Sequence, residues 1–227
     1  MNNQNYLVAT IHEWNIKRFH AVLKKQPGNW HLITEANDLT IDFVESFNPK
    51  YIFFPHWSWI VKSEIVNKYD CICFHATDLP FGRGGSPIQN LIIRGYQDTV
   101  ISALKMTNEL DAGPIFLKKP LSLQGRAQEI FENASVIIEK MIIELINSNI
   151  HPVEQNGEIV VFQRRTDNEI PKIGEMKNLY NHIRMLDANG YPHAYIQHGD
   201  FLIKFSEAIQ EDEKISAKVV ITREILK

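Results

Sequence analysis

Two side chains that can move protons, His75 and Asp111, each follow a short apolar run of the chain. His75 ends the run 71–75, and Asp111 follows the run 100–106, 36 positions beyond the histidine. In an open parallel sheet, ligands bind beyond the carboxyl ends of the strands. A histidine beside a carboxylate there suits general acid–base catalysis, because imidazole titrates near neutral pH. The alternative is that each side chain only satisfies its own loop.

Two further loops at the same predicted edge contain unusual residues. The segment after His75 is rich in glycine, and glycines at 82, 84 and 85 would let the backbone approach a ligand closely. A plain turn is the alternative there. The other loop, 55–59, contains two tryptophans and a histidine. It forms either the wall of a flat aromatic pocket or a segment packed on the core.

The elements that must position these loops are short apolar runs that alternate with helical patterns. The predicted strands are 6–11, 30–33, 51–54, 71–75 and 100–106, and the predicted helices are 13–23, 37–46 and 127–147. Such alternation is typical of a mostly parallel sheet covered on both faces, and therefore of an α/β domain.

The pattern changes after residue 151. A run at 158–162, a helix at 179–186 and short strands at 194–196, 201–205 and 219–221 predict a small antiparallel β appendage. We therefore predict a catalytic domain over 1–175 and a small helix plus β subdomain over 176–227.

Composition and charge limit the function classes. The formal net charge is −3 and the Lys and Arg residues are not clustered, which argues against a nucleic-acid partner. The polar N-terminus and the short apolar runs predict no signal peptide and no membrane span, hence a cytoplasmic protein. Cys71 and Cys73 would share one face of a strand, so neither a disulfide nor a metal site is expected.

The motif around the histidine resembles the signature of formyltetrahydrofolate-dependent formyltransferases. It is carried by His75, Leu79-Pro80, Arg83-Gly84 and Pro87-Ile88-Gln89, followed by 109–113. The segments 164–168, 181–184 and 191–194 resemble the region after the catalytic domain in tRNA and sugar formyltransferases. The resemblance covers about residues 50–205, and it implies a Rossmann-like formyltransferase fold.

The resemblance also implies a reaction and a set of residues. An amine would attack the formyl group of 10-formyltetrahydrofolate through a tetrahedral oxyanion, with His75 as the central catalyst and Asp111 orienting it and helping to remove the amine proton. The implied folate contacts are Phe54, Pro55, His56, Trp57, Met106, Asn108, Glu109 and Leu110. Trp14, Asn15 and Lys17 follow the first strand, where they would hold a sugar or diphosphate, or they begin an ordinary amphipathic helix with Trp14 packed beneath it. The other expected acceptor contacts are Thr77, Arg83 and Gly84, with the alternative that Arg83 only anchors its loop.

One position departs from the family pattern. Cys73 stands two residues before the histidine, where the family has Asn, and a thiol is a weaker hydrogen-bond donor than an amide. Thr77, Asn90 or a backbone N–H would then supply the missing donor. Alternatively, the enzyme is slow, or the fold binds its ligands without transferring the formyl group. A cysteine nucleophile is a further alternative.

The acceptor predicted from the sequence is a nucleotide-linked amino sugar, carried by dTDP, UDP or GDP and destined for surface polysaccharide such as O-antigen. The negative net charge and the short chain after Arg184 favour it over tRNA. The alternatives are a methionyl-tRNA or glycinamide ribonucleotide type of formyltransferase, a formyltetrahydrofolate hydrolase and a non-catalytic nucleotide-sugar binding protein. Relatives often pair, so a homodimer is a further expectation.

Overall fold

A six-stranded sheet forms the centre of the computed structural model, which describes residues 4–223. In the order in which they lie in the sheet, its strands are β2 (Asn29–Ile33), β1 (Asn5–Ala9), β3 (Tyr51–Phe54), β4 (Cys71–His75), β6 (Asp98–Lys105) and β7 (Ile115–Ser122). The first four run parallel, whereas β4 and β6 are antiparallel. The predicted α/β class with a mostly parallel sheet is confirmed.

The helices start and stop where the local sequence favours it. They are α1 (Glu13–Ala21), α2 (Ile41–Phe47), α3 (Ser63–Lys68), α4 (Pro87–Ile93), α5 (Ala127–Asn147) and α6 (Met176–Arg184). Thr40 caps α2 by accepting a hydrogen bond from the Phe43 N–H at 3.2 Å. Asn48 ends the same helix in the left-handed conformation, which Asn tolerates better than most residues.

The middle strands are buried on both faces. Leu7, Ile52 and Phe53 are completely buried, although Ile52 and Phe53 point to opposite sides of β3. This burial explains why the strand sequences are continuous apolar runs rather than alternating ones. His75 is the last residue of β4 and therefore lies at the carboxyl edge of the parallel part of the sheet.

The chain divides into two compact units. The first contains the described residues up to Gly84, with Thr99–Leu121 and Glu132–Val161. The second contains Gly85–Asp98, Ser122–Phe131 and the described residues from Phe162 onward. Strands β9 (Ala194–His198), β10 (Phe201–Glu211) and β11 (Lys214–Arg223) form an antiparallel sheet in the order β11-β10-β9. The predicted C-terminal antiparallel appendage is thus confirmed, and the boundary between 175 and 176 stays a prediction.

Some elements were not predicted from the sequence, among them an edge strand, a short helix and a short strand in the glycine-rich segment. Strand β7 contains Lys118, Lys119 and Pro120, which interrupt any apolar pattern. It lies at the end of the sheet, and an edge strand accepts charged residues and proline because one side needs no ladder partner. Helix α3 is only six residues long, and the short strand β5 (Phe81–Gly84) lies inside the glycine-rich segment. The start of β8 (Val160–Phe162) pairs with it.

Membrane spans and metal clusters are both absent from the described part of the chain. Among residues 4–223, no helix combines the length and the apolar character that crossing a membrane requires. The same residues contain no group of three or more His, Cys, Asp or Glu able to hold a metal ion. A cytoplasmic location stays a prediction.

Candidate active site

His75 is held at the end of β4 by the glycine-rich segment that follows it. Its Nε2 lies 2.7 Å from the carbonyl oxygen of Gly82. Gly82 has a φ of +80°, a conformation that side chains other than glycine rarely adopt. The carbonyl can only accept a hydrogen bond, so Nε2 carries a proton and donates it. This bond fixes the ring and leaves Nδ1 as the nitrogen available for chemistry.

Asp111 faces that second nitrogen. Its Oδ2 lies 3.5 Å from His75 Nδ1, and the two side chains are only 11% and 9% exposed. The same oxygen accepts a hydrogen bond from the Gly84 N–H at 2.9 Å. Asp111 has a φ of 53°, in the left-handed region, where Asp occurs more readily than most residues. The sheet edge thus brings together the two residues that sequence spacing selected.

The pair is arranged to share one proton. With Nε2 protonated, a neutral His75 has its lone pair on Nδ1, which then faces a carboxylate oxygen. A proton placed on Nδ1 would therefore point at a carboxylate oxygen. The geometry is that of a general base supported by a carboxylate.

Backbone packing fixes the loop that bears Asp111. Gly113 lies so close to β6 that a Cβ added to it would be 1.8 Å from the Lys105 carbonyl oxygen. The next residue, Pro114, accepts a hydrogen bond from the Lys105 N–H at 2.9 Å. Only glycine allows this approach, so position 113 sets the path of the loop after Asp111.

Arg83 is engaged by protein groups on both sides of its guanidinium. Nη1 lies 3.1 Å from Glu109 Oε1, while Nε and Nη2 lie 3.1 and 2.9 Å from Gln155 Oε1. Gln155 also donates to the carbonyl oxygens of Asp111 and Gly113. Gln155 was not predicted from the sequence, because an isolated glutamine in a polar stretch belongs to no motif.

Cys73 is a neutral thiol in this environment. Burial, and next the negative charge of Asp111, raise the pKa of Cys73 well above its ordinary value. Burial likewise raises the pKa of Cys71 to about 12. Because the thiolate is the nucleophilic form, the structure argues against a cysteine nucleophile.

The two side chains considered as substitutes for the family's Asn are already occupied. Thr77 is completely buried, and its hydroxyl lies 3.4 Å from the Gly82 carbonyl oxygen. The side-chain amide of Asn90 donates hydrogen bonds to three backbone carbonyl oxygens. These belong to Gly85, Ser86 and Gln163, at 3.0, 3.1 and 2.9 Å.

The residues expected to contact folate divide into a buried and an exposed group. Phe54 and Pro55 are buried, while Trp57 and Met106 are partly buried and pack against the core. Trp57 meets the Phe54 ring edge-on at 6.1 Å. The exposed group is Asn108, Glu109 and Leu110. Phe54 is thus part of the core, Trp57 and Met106 pack against it, and the side chains at 108–110 are open to solvent.

The expected acceptor contacts in the first loop have different surroundings. Asn15 is buried and ties its helix to the aromatic loop by donating to the Pro55 carbonyl at 3.2 Å. Trp14 is buried as well and stacks on His12, with ring centroids 4.5 Å apart. Lys17 is exposed and pairs with Glu13 at 2.9 Å. Trp14 and Asn15 thus pack within the protein, and Lys17 points to solvent.

His12 and His56 form a closely packed pair, with ring centroids 4.2 Å apart. Burial lowers the pKa of His56 to about 3, helped by the neighbouring charge of His12, and burial lowers the pKa of His12 to about 4. Both rings are therefore neutral in the folded protein near pH 7, while in the unfolded chain they titrate near pH 6.5.

We expect the free energy of unfolding to fall as the pH drops from 7 to 5. Below about pH 6.5 both histidines bind protons in the unfolded chain but not in the folded protein. Each of them therefore lowers the free energy of unfolding by about 1–2 kcal/mol at pH 5. Urea unfolding at pH 7.5, 6 and 5 measures this slope. His56→Asn, which tolerates the φ of 55° at this position, should flatten it, whereas exposed His20→Asn should not. Equal slopes for His56→Asn and wild type would contradict the expectation.

Comparison with known proteins gives one family-model match and many relatives. Residues 165–222 match the model described as methionyl-tRNA formyltransferase, C-terminal domain. A methionyl-tRNA formyltransferase from Rickettsia felis is 29% identical over 77% of this chain and 60% of its own length. This chain therefore spans about 60% of the curated relatives that it matches.

Solved structures extend the likeness to the fold. A chain described as methionyl-tRNA formyltransferase from Clostridium thermocellum is 45% identical, with a TM-score of 0.93, over 97% of this chain and 99% of that one. The formyltransferase PseJ from Anoxybacillus kamchatkensis was solved with tetrahydrofolate and a UDP-linked formamido sugar. It is 12% identical, with a TM-score of 0.55 over 70% of this chain and 85% of its own, which shows the fold alone.

The acceptor predicted from the sequence is wrong. The relatives that share substantial identity with this chain are methionyl-tRNA formyltransferases, whereas the protein solved with a nucleotide sugar is a distant match. The prediction that the partner is a nucleotide sugar and not a nucleic acid is therefore wrong as well. The O-antigen and lipopolysaccharide context that went with it has no support. Chain length does not separate the two classes, because the Clostridium thermocellum chain is matched over 99% of its length.

Net charge was a misleading guide to the acceptor for a physical reason. It sums over the whole surface, whereas phosphates are bound by local groups. One cavity of about 480 Å³ in the second unit brings basic side chains together beside Asp187 and Glu207. The basic side chains are Arg126, Lys204 and Lys218, and two of them are paired, Arg126 with Asp187 at 3.7 Å and Lys218 with Glu207 at 3.1 Å.

Family membership follows from the likeness to the Clostridium thermocellum chain, which extends over nearly the whole of both proteins. The six-stranded sheet, the antiparallel C-terminal sheet and the His75–Asp111 pair agree with it. This chain belongs to the formyltransferase family.

Proposed function

We propose that this protein transfers a formyl group from 10-formyltetrahydrofolate to the amino group of methionyl-tRNA. The observation that carries the proposal is the 45% identity, over 99% of that chain, to the Clostridium thermocellum protein described as methionyl-tRNA formyltransferase. The curated relatives with the same description support it. The match of residues 165–222 to the C-terminal domain model supports the same acceptor.

The residues present fit a folate. The partly buried side chains of Trp57 and Met106, packed on the buried Phe54, would form an apolar wall for a flat pterin ring, and the exposed side chains of Asn108 and Glu109 would suit its hydrogen-bonding edge. The tetrahydrofolate bound by the distant relative PseJ supports this choice of donor. When bound, 10-formyltetrahydrofolate supplies the activated formyl group.

His75 and Asp111 would carry the proton transfer. Nδ1 of His75, held in place by the Nε2 bond to Gly82, is oriented to take a proton from the attacking amine. Asp111, fixed by the Gly84 N–H, stabilises the resulting imidazolium. Because the pair is almost buried, water screens this interaction little.

A direct assay tests both the donor and the acceptor. Purified protein is incubated with 10-formyltetrahydrofolate and either methionyl-tRNA or free methionine, and mass spectrometry looks for the formylated amine. We expect N-formylmethionyl-tRNA only, with a rate that falls as salt rises, because phosphate contacts release counterions. Absence of formylated tRNA would refute the proposed acceptor. Formate without a formylated amine would indicate a hydrolase instead.

We expect Cys73→Asn to raise kcat. Cys73 is two residues before His75 on the same strand, so both point to one side of the sheet, and an amide is a stronger donor than a thiol. Since losing one oxyanion donor typically costs about 100- to 1,000-fold, we expect a gain of about 10- to 100-fold, with Cys73→Ser in between. Steady-state kinetics under saturating donor measure it. A folded Cys73→Asn no faster than wild type would show that position 73 donates nothing to the reaction.

A further inference from the structure

Gln155 lies directly behind the loop that bears Asp111. It follows the bridge in which Val153 and Ile115 exchange backbone hydrogen bonds at 2.8 and 2.9 Å. This bridge attaches the segment to β7, so the backbone of Gln155 is held two residues from a paired position. The side chain is partly buried, and its amide binds the loop and Arg83 rather than His75.

The side-chain amide of Gln155 is bound at both ends. Nε2 donates to the carbonyl oxygens of Asp111 and Gly113, both at 2.8 Å. Oε1 accepts from Nε and Nη2 of Arg83, at 3.1 and 2.9 Å. Only Asn and Gln offer two donors and an acceptor in one planar group. A carboxylate in this place would lose the donor end of the arrangement, and an alkyl group would lose both ends.

These four hydrogen bonds connect the two segments that hold the catalytic carboxylate. One segment is the backbone of Asp111 itself, which is in the left-handed conformation. The other is β5, where Arg83 is followed by Gly84, the residue whose N–H binds Asp111 Oδ2. Gln155 therefore fixes the separation between the Asp111 main chain and the donor that orients its side chain.

We propose that Gln155 is a positioning residue for the His75–Asp111 pair. The inference rests on the proposed function for its catalytic consequence, but its structural content concerns only the contacts above. A displacement of about 1 Å in a catalytic group can cost about 100-fold in rate. The loss should appear in kcat, because Gln155 lies behind the pair rather than in the apolar wall.

Gln155→Ala and Gln155→Glu test the proposal in the full-length protein. We expect kcat to fall about 10- to 100-fold in both, with KM for folate and methionyl-tRNA changed less than about threefold. Gln155→Glu keeps the shape and the contacts with Arg83, but it sets a carboxylate oxygen against two carbonyls. The matched controls are Gln97→Ala and Gln97→Glu at an exposed glutamine, which should leave kcat unchanged.

A second readout is independent of activity. In 15N–1H spectra the Gly84 amide reports its hydrogen bond to Asp111, and we expect it to move upfield and exchange faster in both Gln155 variants. Wild-type kcat in a folded Gln155→Glu, or an unchanged Gly84 amide in both variants, would overturn the proposal. If the wild-type protein formylates nothing, the proposed function fails separately, and the Gly84 signal alone then decides the role of Gln155.

Discussion

Replacing His75 with Ala should lower kcat for formyl transfer by about 1,000-fold, within the range of about 100- to 10,000-fold for a positioned acid–base group. The ring is buried, its Nε2 is committed to Gly82, and Nδ1 is the ring nitrogen left to exchange a proton with a substrate. The methyl group of alanine cannot accept a proton in its place. Single-turnover formylation of methionyl-tRNA, with enzyme in excess, measures the chemical step directly.

Two controls make the His75 result interpretable. His20→Ala removes an exposed imidazole and should leave the rate unchanged. Circular dichroism and the thermal midpoint show whether the His75 variant is folded, and binding of tetrahydrofolate shows whether the apolar wall is intact. A folded, folate-binding His75→Ala protein within tenfold of the wild-type rate would remove His75 from the chemistry.

Replacing Asp111 with Asn should lower kcat by about 100- to 1,000-fold, while the fold is kept. Asp111 Oδ2 makes both contacts, so the amide oxygen of Asn must take its place to keep the bond from the Gly84 N–H, and a neutral oxygen then faces His75 Nδ1. The negative charge that stabilises the imidazolium is gone. The same single-turnover assay measures the loss.

Asp42→Asn is the matched control for the Asp111 variant, because Asp42 is a carboxylate in helix α2, outside the site. It should retain the wild-type rate. The double variant His75→Ala with Asp111→Asn should be little slower than His75→Ala alone, since the two residues act as a unit. Additive losses would show that Asp111 acts independently of the histidine, and the shared-proton interpretation would then fail.

Several elements were predictable because their local sequence allows one interpretation. The runs 51–54 and 71–75 are continuous apolar segments, and the structure has strands over the same residues. The helix 127–147 was likewise predicted with its observed bounds, because a long stripe at helical spacing has no strand alternative. Strand β7 was not predicted, because its lysines and proline are acceptable only at a sheet edge. Whether a strand lies at the edge is a property of the assembled sheet.

The candidate site likewise has residues that could be predicted from the sequence and residues that could not. His75 and Asp111 were chosen from residue type, from their place after strands and from a family resemblance, and their catalytic role stays a prediction. The folded chain places the two side chains 3.5 Å apart. Gln155 could not be predicted from the sequence, because its proposed role depends on three segments that are distant in sequence and meet only after folding.

The nucleotide-sugar acceptor was predicted wrongly because net charge sums over the whole surface, whereas recognition depends on local surfaces. Chain length was no guide either, because the Clostridium thermocellum chain is matched over 99% of its length. The sequence by itself determined the α/β class through its periodicity and indicated the family through the resemblance of its motifs. It also selected His75 and Asp111 as a candidate pair, since residue type and position after a strand are local properties. Only the tertiary structure decided the tautomer of His75, the engagement of Arg83 and the neutrality of Cys73. Each of these depends on burial and on hydrogen-bond partners from distant segments, which exist only once the chain has folded.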